Sequence, residues 1–271
     1  MVQCGKDLLA SAEEGIAGQG DYEFYPAFQE NLNVYLLDVV VRTSRLVVPA
    51  QDYQGFVPRT WLDNTHLYLR PFLPSETPPL KLYMLDINTT KVQLVLDLPT
   101  LGGDFDSSVD GTTLFTCQYV FNMPLAAGPS TIEAQPALGG QARALYRTAD
   151  YAITALRVAT RTSLLFTIHN NGVRNVNRSH NGLWVINTNG SGLTRLLSET
   201  NDELMLFPAS TRYVWSSVSR NGNLYAAKVA RTTGPHAPAA LLIGSLRGGT
   251  PTTVATGSTG TLEVAGWTQA P

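Results

Sequence analysis

Short runs of alternating apolar and polar residues, separated by clusters of Gly, Pro, Asn and Asp, cover the chain from Tyr22 onward. Val34-Tyr35-Leu36-Leu37-Asp38, Leu82-Tyr83-Met84-Leu85-Asp86 and Leu183-Trp184-Val185-Ile186-Asn187 share one form, and Ala240-Leu241-Leu242-Ile243-Gly244 is a weaker copy. A period of two in β-branched and aromatic residues, bounded by turn formers, predicts short strands. One stretch has helical spacing instead. Over residues 7–17, Leu8, Leu9, Ala12 and Ile16 recur at that spacing, and Gly15 and Gly18 limit the length. This predicts an N-terminal tail or short helix over 1–20, ahead of an all-β domain over 21–271.

The strands come in pairs. Second pairs begin near residues 34, 82, 144, 183 and 241, a mean period of about 52 residues, which suits propeller blades with insertions. First pairs lie between them. Arg59-Thr60-Trp61-Leu62 leads through Asp63-Asn64 to His66-Leu67-Tyr68-Leu69, and Phe105-Asp106-Ser107-Ser108 leads through Asp110-Gly111 to Thr113-Leu114-Phe115-Thr116. Tyr213-Val214-Trp215-Ser216 leads through Asn221-Gly222 to Asn223-Leu224-Tyr225-Ala226, and the copy near Leu164-Leu165-Phe166-Thr167 is the most degraded. Asp-Gly and Asn-Gly suit tight hairpins because those residues tolerate a positive φ. One such unit cannot bury both its faces and must stack on neighbours. The fold expected is therefore all-β: a β-propeller of four-stranded antiparallel blades, five to six in number. The series opens on a second pair and closes on an isolated first-strand start, Val264-Ala265-Gly266-Trp267-Thr268. Two readings of this order stand: a blade shared by the two termini, or a piece of a longer array.

Composition adds little that is specific. The 271 residues are 44% hydrophobic, 15% charged and 9% aromatic, a low charge density that suits sheets with uncharged polar surfaces. A net charge of −2 gives no electrostatic basis for nucleic acid as a partner. No apolar run approaches the ~18 residues that span a bilayer, so membrane insertion is not expected. Met1 to Lys6 shows no export signal. Cys4 and Cys117 are the two cysteines, and their spacing leaves a disulfide undecided.

Trp215, Ser216, Asn221 and Gly222 match the first half of a known repeat, a Trp-Ser turn with Asp-Gly. Trp184, Asn187, Asn189-Gly190 and Leu193-Thr194-Arg195-Leu196 match its second half, an aliphatic-aromatic strand ending in a turn. Over roughly residues 32–271 the chain resembles the TolB-like (PD40/WD40-like) propeller repeat family. Two or three copies are good; the copy at Trp61 lacks the glycine, and the copy at Asp110-Gly111 lacks the tryptophan. The resemblance implies blades, exposed rim loops and a periplasmic or extracellular setting. It does not extend to the separate N-terminal domain of TolB, nor to the hydrolase domain that accompanies similar propellers in prolyl-oligopeptidase relatives.

Candidate chemistry is sparse. Gly190-Ser191-Gly192 and Gly257-Ser258-Thr259-Gly260 miss the spacing of a nucleophile elbow and read as turns. His66, His169, His180 and His236 show no metal-ligand spacing, and no cofactor is implied. Asp104, Asp106 and Asp110 are weak candidates for a hard cation, out of register for a calcium loop. Asp38, Asp86 and Asp106 are candidate channel carboxylates, although Asp38 and Asp86 fill the slot that Asn187 takes in a turn. His169 and His180 flank the loop Asn170-Asn171-Gly172-Val173-Arg174-Asn175-Val176-Asn177-Arg178, rich in amide and guanidinium donors. Residues 71–79 and 231–238 are Pro-rich and read as exposed loops. The first expectation is a non-enzymatic scaffold that binds a protein or peptide, with Arg174, Arg178, His180, Phe72 and His236 as contacts. The alternatives are a glycan-active or lactonase-like enzyme that uses channel carboxylates, and a small-molecule or sugar binder.

Overall fold

The computed structural model of the chain describes residues 8–13, 33–38, 42–49, 55–72, 80–98, 101–120, 129–170, 178–200, 203–207, 217–231, 238–258, 262, 264 and 266–268. These form an all-β architecture of five antiparallel sheets. Sheet I contains β1 (Leu8–Glu13), β2 (Asn33–Asp38) and β3 (Thr43–Val48). Sheet II contains β4 (Gly55–Trp61), β5 (His66–Phe72), β6 (Leu80–Asp86) and β7 (Lys91–Leu98). Sheet III contains β8 (Leu101–Ser107), β9 (Thr113–Val120), β10 (Ser130–Pro136) and β11 (Arg143–Thr148). Sheet IV contains β12 (Ile153–Thr160), β13 (Ser163–Ile168), β14 (Gly182–Asn187) and β15 (Thr194–Ser198). Sheet V contains β16 (Glu203–Leu206), β17 (Leu224–Arg231), β18 (Pro238–Ser245) and β19 (Thr252–Ser258). Each sheet is a meander in which consecutive strands pair.

The sheets stand face to face in a blade-like arrangement, because each alternating strand carries apolar groups on both faces and each face needs a cover. Val34, Leu36 and Val48 of sheet I pack on Leu67, Leu69 and Leu85 of sheet II. Tyr68, Leu82 and Met84 of sheet II meet Phe105 and Leu114 of sheet III. Phe115, Cys117 and Ile132 of sheet III meet Leu156, Phe166 and Ile186 of sheet IV. Ala155, Leu165 and Leu183 of sheet IV meet Met205, Tyr225 and Ala227 of sheet V. Hydrogen bonds also cross these junctions. Arg45 Nη2 donates to the Ile87 carbonyl at 2.8 Å, Tyr68 Oη to the Ala137 carbonyl at 2.7 Å, and the Ile153 amide to Ser130 Oγ at 3.1 Å. Burial, with a smaller push from Asp63, drives the Tyr68 phenol above its ordinary pKa, so it stays a neutral donor.

Three expectations change. The helical spacing over 7–17 gives a strand instead, β1, which pairs with β2 from Leu8↔Asp38 to Glu13↔Asn33. So short a segment is decided by the edge available to it, not by spacing among four apolar residues. The second pair of sheet III begins at Ser130, not near 144. Ser130, Ile132 and Ala134 are its buried positions, too small and polar to stand out, whereas Ala144-Leu145-Tyr146 belongs to the outer strand β11. The weakest sequence copy, around Leu164 to Thr167, forms β13, buried at five of its six residues. Cys117 is buried in β9 and Cys4 lies outside the described residues.

Candidate functional site

The turns after the first strands of sheets II to V share one end of the stack. The Gly111 turn of sheet III abuts the Leu62 carbonyl of sheet II, and the Gly222 turn of sheet V abuts Ala159 and Thr160 of sheet IV. Between sheets III and IV, Asp104 of β8 accepts the Leu156 amide at 3.2 Å and Asp106 accepts the Val158 amide at 2.8 Å. Two steps along β8 match two along β12, so these first strands run parallel. The connections from second to third strand therefore leave from the opposite rim. Phe72, Arg174, Arg178, His180 and His236 all fall on these connections or at their anchoring ends.

Sheet IV supplies one part of that rim. The Asn181 amide donates to the Arg178 carbonyl at 3.0 Å, closing a turn over Arg178 to Asn181 just before β14. Three groups pin this turn from below. Trp184 Nε1 donates to the His180 carbonyl at 2.8 Å, Arg195 Nη1 donates to the Ser179 carbonyl at 2.6 Å, and Asn181 is itself buried. Asn181 Oδ1 accepts the Asn170 amide at 2.9 Å, and its Nδ2 donates to the Asn170 carbonyl at 3.3 Å. Asn170 Oδ1 accepts the Ala152 amide at 2.9 Å, and its Nδ2 donates to the Asp150 carbonyl at 3.0 Å. Two buried side-chain amides thus replace the strand pairing that stops at this rim.

Above this base the side chains form a ladder. The His180 ring lies 4.3 Å from that of Tyr151 and 6.0 Å from Trp184, nearly parallel to the indole at 10°. The Arg195 guanidinium carbon sits 5.5 Å from the Trp184 ring centroid, a cation–π distance. Ser179 Oγ lies 2.9 Å from His180 Nδ1. Arg178, Ser179 and Arg195 are exposed, while Tyr151, His180 and Trp184 are half-buried. On the far side of Asn181, the half-buried His169 holds Glu199, with Nδ1 to Oε2 at 2.9 Å. Glu199 also accepts Asn181 Nδ2 at 3.3 Å and the Met205 amide at 3.4 Å, tying sheet IV to sheet V. Burial, with a contribution from Tyr151, raises the pKa of the nearby Tyr146 phenol.

Of the expected contacts, Arg178 and His180 share this turn. Phe72 ends β5 opposite Gly55, with its side chain outside the described residues. Arg174 and His236 also lie outside them. The aspartates do not converge. Asp104 holds Arg157, with Nη1 to Oδ2 at 2.5 Å, in a buried pair, and Asp106 holds the edge of β12. Asp110 caps a turn through Ser108 Oγ at 2.6 Å and Thr112. Asp86 does the same for Asn88 and Thr89, and Asp38 sits at the end of β2 opposite Thr43. Among the described residues no three His, Cys, Asp or Glu side chains are placed to share a metal ion. Sequence reasoning missed Tyr151, Glu199 and Arg195, because each meets the turn from another strand end and no local spacing joins them.

No family model matches the chain. The search of curated proteins also found no match. Among solved structures, an oligogalacturonate lyase in complex with manganese overlays with a TM-score of 0.57 at 13% identity, over 85% of this chain and 60% of the lyase. An oligogalacturonate lyase from Vibrio parahaemolyticus gives 0.57 at 12%, over 83% and 59%. Oligopeptidase B from Trypanosoma brucei with covalently bound antipain gives 0.55 at 11%, over 86% and 32%. At such identities the likeness is one of fold, a distant propeller-like relationship. This chain spans about three-fifths of the lyases and a third of the oligopeptidase.

Proposed function

We propose that this chain is a TolB-like propeller scaffold that binds a protein or peptide through the rim carrying the connections between second and third strands. One observation carries the reading. Arg178 and Ser179 are exposed and His180 is half-buried on a turn whose carbonyls are held by Trp184, Arg195 and Asn181. A rigid turn that offers a cation, a hydroxyl and a ring loses little entropy on binding. The aspartates considered for chemistry are instead engaged in strand and turn bonds, which favours binding over turnover. Arg174, Phe72 and His236 belong to the same proposed surface through their connections. A periplasmic or extracellular setting goes with this reading. So does a ring of five to six blades in which the segment around Trp267 takes the first-strand place beside β1.

The test is peptide selection from a displayed library against the whole protein, followed by binding to Arg178→Glu and His180→Ala. Selected peptides are expected to lose about tenfold or more on each variant, the usual scale for a contact of 1.4 kcal/mol or above. Peptides that bind both variants as tightly as the parent would place the surface elsewhere.

A further inference from the structure

We infer that the cleft between sheets IV and V is a socket for one lysine side chain of the bound peptide; this rests on the rim-binding reading and deepens it. The cleft has a volume of about 230 Å³, below the roughly 300 Å³ at which sites for whole small molecules begin. A single side chain matches it better. Leu197, Met205, Val229 and Leu242 form aliphatic walls, and Ala240 keeps the interior open. Such walls suit a methylene stem, and Ser198 and Thr253 complete the lining.

Glu199 supplies the charge. Glu199 is one of the residues lining the cleft, and its side chain is only 7% exposed. Oε2 is committed to His169 and Met205, whereas Oε1 accepts the single long bond from Asn181 at 3.3 Å. A carboxylate has about four acceptor sites, so Oε1 has capacity for a strong donor. Among the described residues, no lysine or arginine pairs with Glu199. A primary ammonium on an aliphatic stem satisfies both features, since it is compact and bonds as a point charge. A guanidinium fork pairs best with both oxygens of a carboxylate, and here Oε2 is already taken by His169 and Met205. Asn181 joins Glu199 to the Arg178–Asn181 turn, so socket and exposed turn are contiguous on the rim.

Methyl-labelled protein is titrated with N-acetyl-lysine methylamide and with N-acetyl-norleucine methylamide, which has the stem without the charge. The lysine probe is expected to shift the Met205 and Leu242 methyl signals at about millimolar concentration. Glu199→Gln should weaken it about tenfold, the scale of one charge-assisted hydrogen bond, and leave norleucine unchanged. Ala240→Trp should block both probes; Thr253→Trp, at an exposed position on the same cleft, gives a second block should the first variant misfold. Equal binding of both probes to the parent, with no effect of Glu199→Gln, overturns the inference, as does an absence of methyl shifts. Because the probes need no selected peptide, the two ideas fail separately. Peptides that bind through Arg178 and His180 but ignore the socket variants sink the socket alone. A failed selection sinks the rim reading, and the probe titration still decides the socket.

Discussion

Gly111 sits at φ +70°, where a Cβ would stand 2.0 Å from the Leu62 carbonyl oxygen of the neighbouring sheet. Its backbone conformation and its closeness to sheet II both exclude a side chain. Gly111→Ala is therefore expected to lower unfolding stability by about 2–3 kcal/mol in urea titrations, more than strained φ alone costs. Gly248→Ala is the control: φ is +90° but nothing lies within 4 Å of the added carbon, so about 1–2 kcal/mol is expected. Equal losses would mean that contact between the sheets contributes nothing. Asp110, in the same turn, gives a pH signature. Hydrogen bonds from the Ser108 side chain and from Thr112 pull its pKa from 3.8 to about 2. The folded state then holds this proton less tightly than the unfolded chain does. The turn's contribution is present above pH 3.8 and is lost as pH falls through about 2. Asp110→Ala should lower stability at neutral pH by a pH-independent amount and flatten the acid limb in that window; an unchanged acid limb would refute the assignment.

Strands carry the next level of order, and here the sequence was legible unevenly. Third strands such as β6 and β14 stood out because aliphatic and aromatic residues lead up to an Asp or Asn that closes the following turn. First strands were harder to read; the edge of β12 is satisfied by side chains of the neighbouring sheet instead of by a ladder. In β12 the edge amides of Leu156 and Val158 are taken by Asp104 and Asp106. Two aspartates that in sequence suggested a cation loop thus act as edge caps. The partners lie about fifty positions apart, and no local pattern could join them. The turn that presents His180 was half legible: its donors were visible in the loop, but the pinning by Arg195 and Glu199 was not. The buried Asp104–Arg157 pair yields a prediction at this scale. Asp104→Ala should cost about 3–5 kcal/mol, because it strands a buried guanidinium. Asp104→Leu combined with Arg157→Met should recover much of that loss in the same chemical melts. A double variant no better than Asp104→Ala would show that the pair's value lies in the amide bonds to β12.

Across the whole molecule, five sheets meet at four faces, each with its own apolar cluster. Sheet I differs from the rest. β3 reaches Ile87 in the last turn of sheet II, as β11 meets the Gly190 turn of sheet IV, so β3 corresponds to a fourth strand and β1 to a second. Among the described residues, no strand lies on the other side of β1. The segment around Trp267 carries a first-strand pattern and suits that place. Trp267→Ala should then destabilise by about 2 kcal/mol, since the ring is half-buried and full burial would cost 3–5 kcal/mol. An unchanged thermal midpoint would remove the segment from the fold. The propeller-like stack also explains why one rim concentrates the candidate contacts: strands of one polarity send every second-to-third connection to the same side. The most direct measurement is hydrogen–deuterium exchange of the full chain with and without a selected peptide. Slowed exchange at 178–182 and 197–205 is the predicted footprint. Protection confined to the opposite rim, at the Gly111 and Gly222 turns, would contradict the account.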